Sequence, residues 1–236
     1  MTLSTLESGK LTIGASDFNA RPMTYVEDGQ RLGYEIDVAR AVCAKLALEP
    51  VWMNLPMMDF YTTLQAAKCD VVWFNQAITP ERQGHSRFTR PYGLFDEAII
   101  VRTDSDIHSA ADLKGLKLGG LADSTNIELG EQFAGVELVP FPGSDQVLPE
   151  MLAALRAGEI DALVDDELVL ITAAEADPSL RIGFTVETRH PFAIVLRPDS
   201  EALLNTLNQT LDQLEADGTL GKLWEQWIPW RPFPFA

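Results

Sequence analysis

DVVWFNQAITPERQGHSRFTRPY, running from Asp70 to Tyr92, decides how this chain is read. The apolar run Val71, Val72, Trp73 and Phe74 has the composition of a buried strand. It ends in Asn75, Gln76 and Ala77, and Thr79-Pro80-Glu81-Arg82 then opens a helix. Open α/β sheets place ligands beyond the carboxyl ends of their strands, and Arg82 stands one short turn past such an end. Its planar fork of donors suits a carboxylate, although spacing alone equally allows a solvated surface arginine.

The 236 residues suffice for one large domain or two modest lobes. A hydrophobic fraction of 46% describes an ordinary globular protein, and no apolar run approaches the roughly 20 residues of a membrane helix. Membrane insertion is therefore not expected. The polar start MTLSTLESGK lacks a signal-peptide core, so an exported protein would be present here in its mature form. A net charge of −17 argues against nucleic acid and anionic membrane partners, and its field favours a neutral or cationic ligand. Cys43 and Cys69 are the two cysteines, without metal-ligand or CxxC spacing. No metal, cofactor or catalytic group is expected, and the redox state of the cysteines stays open.

Patterning gives an alternation of strands and helices. Lys10–Ala15 reads as a strand whose following loop presents Asp17 and Phe18, candidate ligand contacts by position. Asp17 is equally a turn-forming aspartate. Ile36, Ala39, Val42, Cys43 and Leu46 form a helical face, and 49–54 is a second strand. Phe60, Leu64 and Ala67 share one face of the next helix. Residues 95–102 read as an extended run and 116–121 as a strand. Thr125 with Glu128 matches a capping box. Residues 147–158 form an amphipathic helix stopped by Gly158, and a strand from Ile160 ends on Asp165 and Asp166. A return strand at 192–198 precedes an amphipathic helix at 201–217. Trp224, Trp227 and Trp230 read as packing residues. No repeat, low-complexity segment or long linker interrupts the chain.

Ile78–Arg82 (ITPER) and Phe88–Tyr92 (FTRPY) resemble the signature of the amino-acid-binding branch of bacterial periplasmic solute-binding proteins. The segment with Gly33, Tyr34 and Asp37, the G-x-I-D-A-x-x-x-D pattern ending at Asp166, and Gly218-Thr219 to Trp227 resemble further motifs in the same order. The likeness covers nearly the whole chain. It implies an α/β, two-lobed periplasmic-binding-protein-like fold of type II, each lobe a sheet flanked by helices, with a ligand cleft between lobes. Lobe 1 would take residues 1–102 and 196–236, and lobe 2 residues 103–195. The resemblance puts the α-carboxylate of an amino acid or similar zwitterion on Arg82, with Ser124 and Thr125 on its other side. The ammonium then falls to Asp166. Asn75 and Ala77 would add backbone contacts, while Phe60, Phe18, Trp73 and Asp17 would shape the side-chain pocket. Ala77 lacks the hydroxyl usual at its position, and positions 18–23 lack the usual aromatic-Pro-Phe.

The expected protein is thus a monomeric, periplasmic or extracellular binder, lipid-anchored forms included. It would close on its ligand and deliver it to the membrane subunits of an ABC-type importer. A cleft enzyme of the cyclohexadienyl dehydratase type is the rival from another class, with Asp17, Asp165 and Glu167 as candidate acids. The ligand-sensing domain of a longer receptor is a third reading.

Overall fold

The computed structural model of the chain describes residues 5–144 and 146–235. They gather into two compact units: one holds the chain as far as Asp17, then Met23–Leu94 and the segment from His190 onward; the other holds Phe18–Pro22 and Phe95–Arg189.

In the first unit, strand β1 (Lys10–Ala15) is followed by the hairpin β2 (Tyr25–Glu27) and β3 (Gln30–Leu32), helix α1 (Tyr34–Leu46) and β4 (Glu49–Asn54). Helix α2 (Phe60–Gln65), strand β5 (Val71–Ala77), the short α3 (Pro80–Gln83) and β6 (Arg87–Phe88) come next. Strand β7 (Gly93–Arg102) carries the chain into the second unit. There follow β8 (Lys117–Leu121), α4 (Thr125–Gly130), β9 (Glu137–Phe141), α5 (Val147–Ala157), β10 (Ala162–Asp166) and α6 (Glu167–Ala176). The long β11 (Leu180–Leu196) returns, and α7 (Glu201–Ala216) with α8 (Thr219–Trp227) complete the first unit.

The sheet of the first unit runs β4-β1-β5 in parallel and then adds β11 antiparallel. Ile13 pairs with Trp52 on one side and Val71 on the other, which fixes β5 as an interior strand. That is why Val71 to Phe74 are buried without alternation. Contrary to the sequence reading, the strand does not end at Phe74. Pairing of Ala77 with Phe192 and of Gln76 with Ala193 extends β5 to Ala77, where propensity alone favoured a loop. Helix α1 turns Ile36, Ala39, Val42 and Cys43 inward and packs against α7 and α8. Gly93 lies so close to the Phe192 ring that an added Cβ would stand 2.0 Å from Cζ.

The sheet of the second unit runs β7-β10-β8-β9, with β7 antiparallel to β10 and the other pairs parallel. Its core is built from Ile99, Val101, Leu113, Leu118, Ala162 and Val164, against which Phe133 and Phe184 pack. Gly158 ends α5 in the left-handed conformation, as its position predicted. The cap of α4 differs from expectation: Ser124, not Thr125, is the N-cap, accepting the Ile127 N–H at 3.3 Å. Serine is the better cap of the two, and the helix begins one residue earlier than the Thr125–Glu128 spacing suggested.

Cys43 and Cys69 are buried free thiols. Trp224 is buried with its Nε1–H donating to the Arg231 carbonyl at 2.8 Å, and Trp227 donates to Asp37 at 2.9 Å. Trp230, read as a packing residue, is instead exposed. Among the described residues, no helix is long and apolar enough to cross a membrane.

Candidate functional site

At the carboxyl end of β5 the chain makes a left-handed turn at Asn75, with φ of 44°. Asparagine tolerates that conformation better than most residues. Four residues on, Thr79 caps α3 by accepting the Arg82 N–H at 3.2 Å, and Pro80 occupies the first helical position, where its missing N–H does no harm. The cap aims Arg82 back along the strand end. Its Nη1 donates to the Ala77 carbonyl at 3.2 Å, and its guanidinium carbon stands 6.0 Å from the Tyr61 ring centroid. Arg82 is half-buried, and among the described residues no carboxylate pairs with it. In a chain with 35 Asp and Glu against 18 Lys and Arg, an inward arginine without an acidic partner keeps most of its donor fork for something else.

Tyr61 and Gln76 belong to this site although sequence reasoning passed over them. The Tyr61 hydroxyl donates to Gln76 Oε1 at 3.1 Å, and Gln76 Nε2 donates to the Phe74 carbonyl at 2.8 Å. Tyr61 directly follows Phe60, and Gln76 lies between two named candidates. Phe60 itself is 1% exposed, edge-on to Phe74 with centroids 5.5 Å apart. Trp73 is equally buried, its ring 5.9 Å from Tyr92. Asp17 is ion-paired with Arg31, and its N–H donates to Asn54 Oδ1 at 2.8 Å.

In the second unit the ends of β8 and β10 bring two further sets of residues together. Ser124 donates to the Leu121 carbonyl at 2.7 Å while capping α4, and Thr125 begins that helix half-buried. The adjacent Asn126 reaches across to β10, its Nδ2 donating to Asp165 Oδ1 at 2.9 Å and to Asp166 Oδ1 at 3.1 Å. Ser124 and Thr125 are thereby linked to Asp166 through a residue that sequence reasoning missed. Its position directly after the pair was the available signal. Glu97 is opposite Asp166 in the strand register, fully buried and bonded to the Thr188 hydroxyl. Burial, and then the Glu97 charge, pushes the Asp165 carboxyl up to about 6, against hydrogen bonds from the Asp166 N–H and Asn126. Phe18, in the short Phe18–Pro22 segment of this unit, is buried.

The chain thus sets an arginine beyond a strand end in one α/β unit and hydrogen-bonded carboxylates at a strand end in the other. The chain belongs to the bacterial extracellular solute-binding proteins, family 3, whose pattern matches residues 11–229. It is 29% identical over 204 residues to ABC transporter arginine-binding protein 1 of Escherichia coli strain K12, covering 84% of this chain and 82% of that one. Its structure superposes with a TM-score of 0.85 on an ancestral arginine-binding protein bound to arginine, at 29% identity, covering 93% of this chain and 98% of the other. An ancestral amino acid-binding protein described as a precursor of cyclohexadienyl dehydratase superposes at 0.83 with 26% identity, over 93% and 95% of the two chains. The fold is thus that of amino-acid-binding periplasmic proteins, and the Escherichia coli relative and the arginine-bound neighbour are binding proteins by their descriptions. The family is extracellular or periplasmic by its description and relatives.

Proposed function

We propose that this protein binds an amino acid or a closely similar zwitterion and hands it to an ABC-type importer. The half-buried, acid-free Arg82 carries the reading, because a guanidinium held at a strand end without a protein anion is poised for a ligand carboxylate. Ser124 and Thr125 would add contacts to that carboxylate, and Asp166 would take the ammonium. Asn75 and Ala77 supply backbone groups. Trp73, Phe60, Phe18 and Asp17 remain the proposed surroundings of the ligand side chain. The net charge of −17 and the arginine-binding relatives support a neutral or cationic side chain.

The protein would act as a monomer outside the cytoplasmic membrane, with no cofactor and no covalent step. Opposite charges on the two ends of the ligand neutralise Arg82 and Asp166 as water leaves, which a single-charge ligand would not do. A thermal-shift screen of the common amino acids tests this. At least one should raise the melting temperature progressively with the logarithm of its concentration, whereas no response to any at millimolar concentration contradicts the reading.

One observation favours testing a second reading, an elimination enzyme: the chain also resembles an ancestral binding protein described as a precursor of cyclohexadienyl dehydratase. Incubation with prephenate or arogenate separates the two. The binding reading requires no product.

A further inference from the structure

Glu35 stands in the first turn of α1, 1% exposed, where the periodic apolar face would place a hydrophobe. Its carboxyl accepts from two donors far away in sequence: Oε2 from the Asn75 backbone N–H at 2.5 Å, and Oε1 from the Tyr92 hydroxyl. Tyr34 beside it donates its own hydroxyl to the Tyr92 carbonyl at 2.7 Å, and the two tyrosine rings stack with centroids 6.2 Å apart. The surrounding elements contribute Tyr34 from α1, Asn75 and Trp73 from β5, Tyr92 before β7, Phe192 from β11 and Trp224 from α8. The titratable groups among these are Tyr34 and Tyr92. No lysine, arginine or histidine pairs with Glu35 among the described residues.

A buried carboxylate without a cation is expensive, and its two hydrogen bonds offset only part of that. What those bonds do is hold the peptide at Asn75, the residue that turns the end of β5 through a left-handed conformation. Two residues on, the Ala77 carbonyl anchors Arg82. We propose that Glu35 is a positioning residue: as a carboxylate it fixes the Asn75 peptide and with it the Ala77–Arg82 arrangement that receives the ligand, so that binding follows the Glu35 proton. The affinity half of this inference rests on the amino-acid-binding reading, and the Asn75 half does not.

In the charged state both carboxyl oxygens accept, Oε2 from the Asn75 N–H and Oε1 from the Tyr92 hydroxyl. A proton on Oε1 makes that oxygen a donor, so the Tyr92 hydroxyl must turn and the hydrogen bond to Asn75 loses its charge assistance. Burial places this change in an accessible range, pushing Glu35 up to about 7 against the lowering effect of the Tyr92 and Asn75 bonds. By reciprocity, a ligand that prefers the fixed strand end must lower the Glu35 pKa and release part of a proton near neutrality.

Two measurements on the full chain decide the matter. In nitrogen-15 correlation spectra of the ligand-free protein, the Asn75 amide should titrate with a midpoint near 7 and become flat in Glu35→Gln. Calorimetry with L-arginine should show affinity falling about fivefold from pH 8 to pH 6, the difference between a charged and a neutral hydrogen bond. The fall should be absent in Glu35→Gln and retained in Glu35→Asp, which restores a titrating carboxylate. An Asn75 amide that does not titrate, or a Glu35→Gln variant with the wild-type pH profile, overturns the inference. If wild-type protein takes up no arginine at either pH, an arginine ligand is ruled out, and the amide titration alone decides for or against Glu35.

Discussion

Asn126 Nδ2 lies 3.1 Å from Asp166 Oδ1, joining the start of α4 to the end of β10. The same nitrogen donates to the buried Asp165, so a single amide orients two adjacent carboxylates. This couples the start of α4, capped by Ser124, to the acidic strand end through a defined contact rather than mere proximity.

Replacing that amide should therefore be felt twice. Asn126→Leu removes a donor from a buried carboxyl, which should destabilise the protein by about 1–3 kcal/mol. It should also weaken amino-acid binding, because Asp166 loses the hydrogen bond from Asn126. Urea unfolding and calorimetry report the two effects separately. Unchanged stability would show that Asp165 finds another donor.

Stability should fall as pH rises from about 4 to 7. Glu35, at about 7, and Asp165, at about 6, both lie above their ordinary carboxyl values, with burial as the leading cause. In that window the native protein binds more protons than the unfolded chain, so deprotonation favours unfolding. The shift at Glu35 corresponds to about 3 kcal/mol, present as stabilisation below its unfolded pKa and lost above its folded one. The difference between wild type and Glu35→Gln in denaturant unfolding at pH 5 and pH 8 isolates the effect. Parallel pH dependences would contradict it. Protonation thus stabilises the fold while loosening the strand end that the ligand uses.

Cys43 and Cys69 should be silent thiols. Burial pushes both up to about 11, so little thiolate exists at neutral pH and little surface admits a reagent. A colourimetric thiol reagent should react with neither in the native protein and with both in guanidinium. Rapid native reaction of either would show that its helix or strand opens easily.

The parallel core of the first unit was legible because its elements are long and periodic. Strands 10–15 and 49–54 and the face of α1 follow directly from the spacing of their apolar residues. Arg82 was legible because the strand, turn and helix start around it are contiguous, and the motif there is specific. Several elements escaped, among them the short strands β2, β3, β6 and β9, helix α6 and the first part of β11. Helix α6, ELVLITAAEA, is apolar nearly all round and shows no amphipathic stripe. The first part of β11 carries Arg181, Glu187, Arg189 and His190, which break the apolar run that marks a strand. Only pairing with neighbours settles such a segment.

Glu35 was invisible for a different reason. Its partners are 40 and 57 residues away, and a periodicity argument selects hydrophobic positions while passing over a charged residue on the same buried face. Glu97 and Asn126 share that fault, since each acquires its role from a strand or helix brought alongside by the fold.

Calorimetry of Arg82→Ala with the amino acid that most stabilises the wild type tests most directly whether Arg82 is the carboxylate-binding group. Loss of a charge-assisted pairing in a desolvated site should weaken binding by about a hundredfold or more, with the fold intact by circular dichroism. Affinity equal to that of the wild type would place the ligand carboxylate elsewhere and contradict the account.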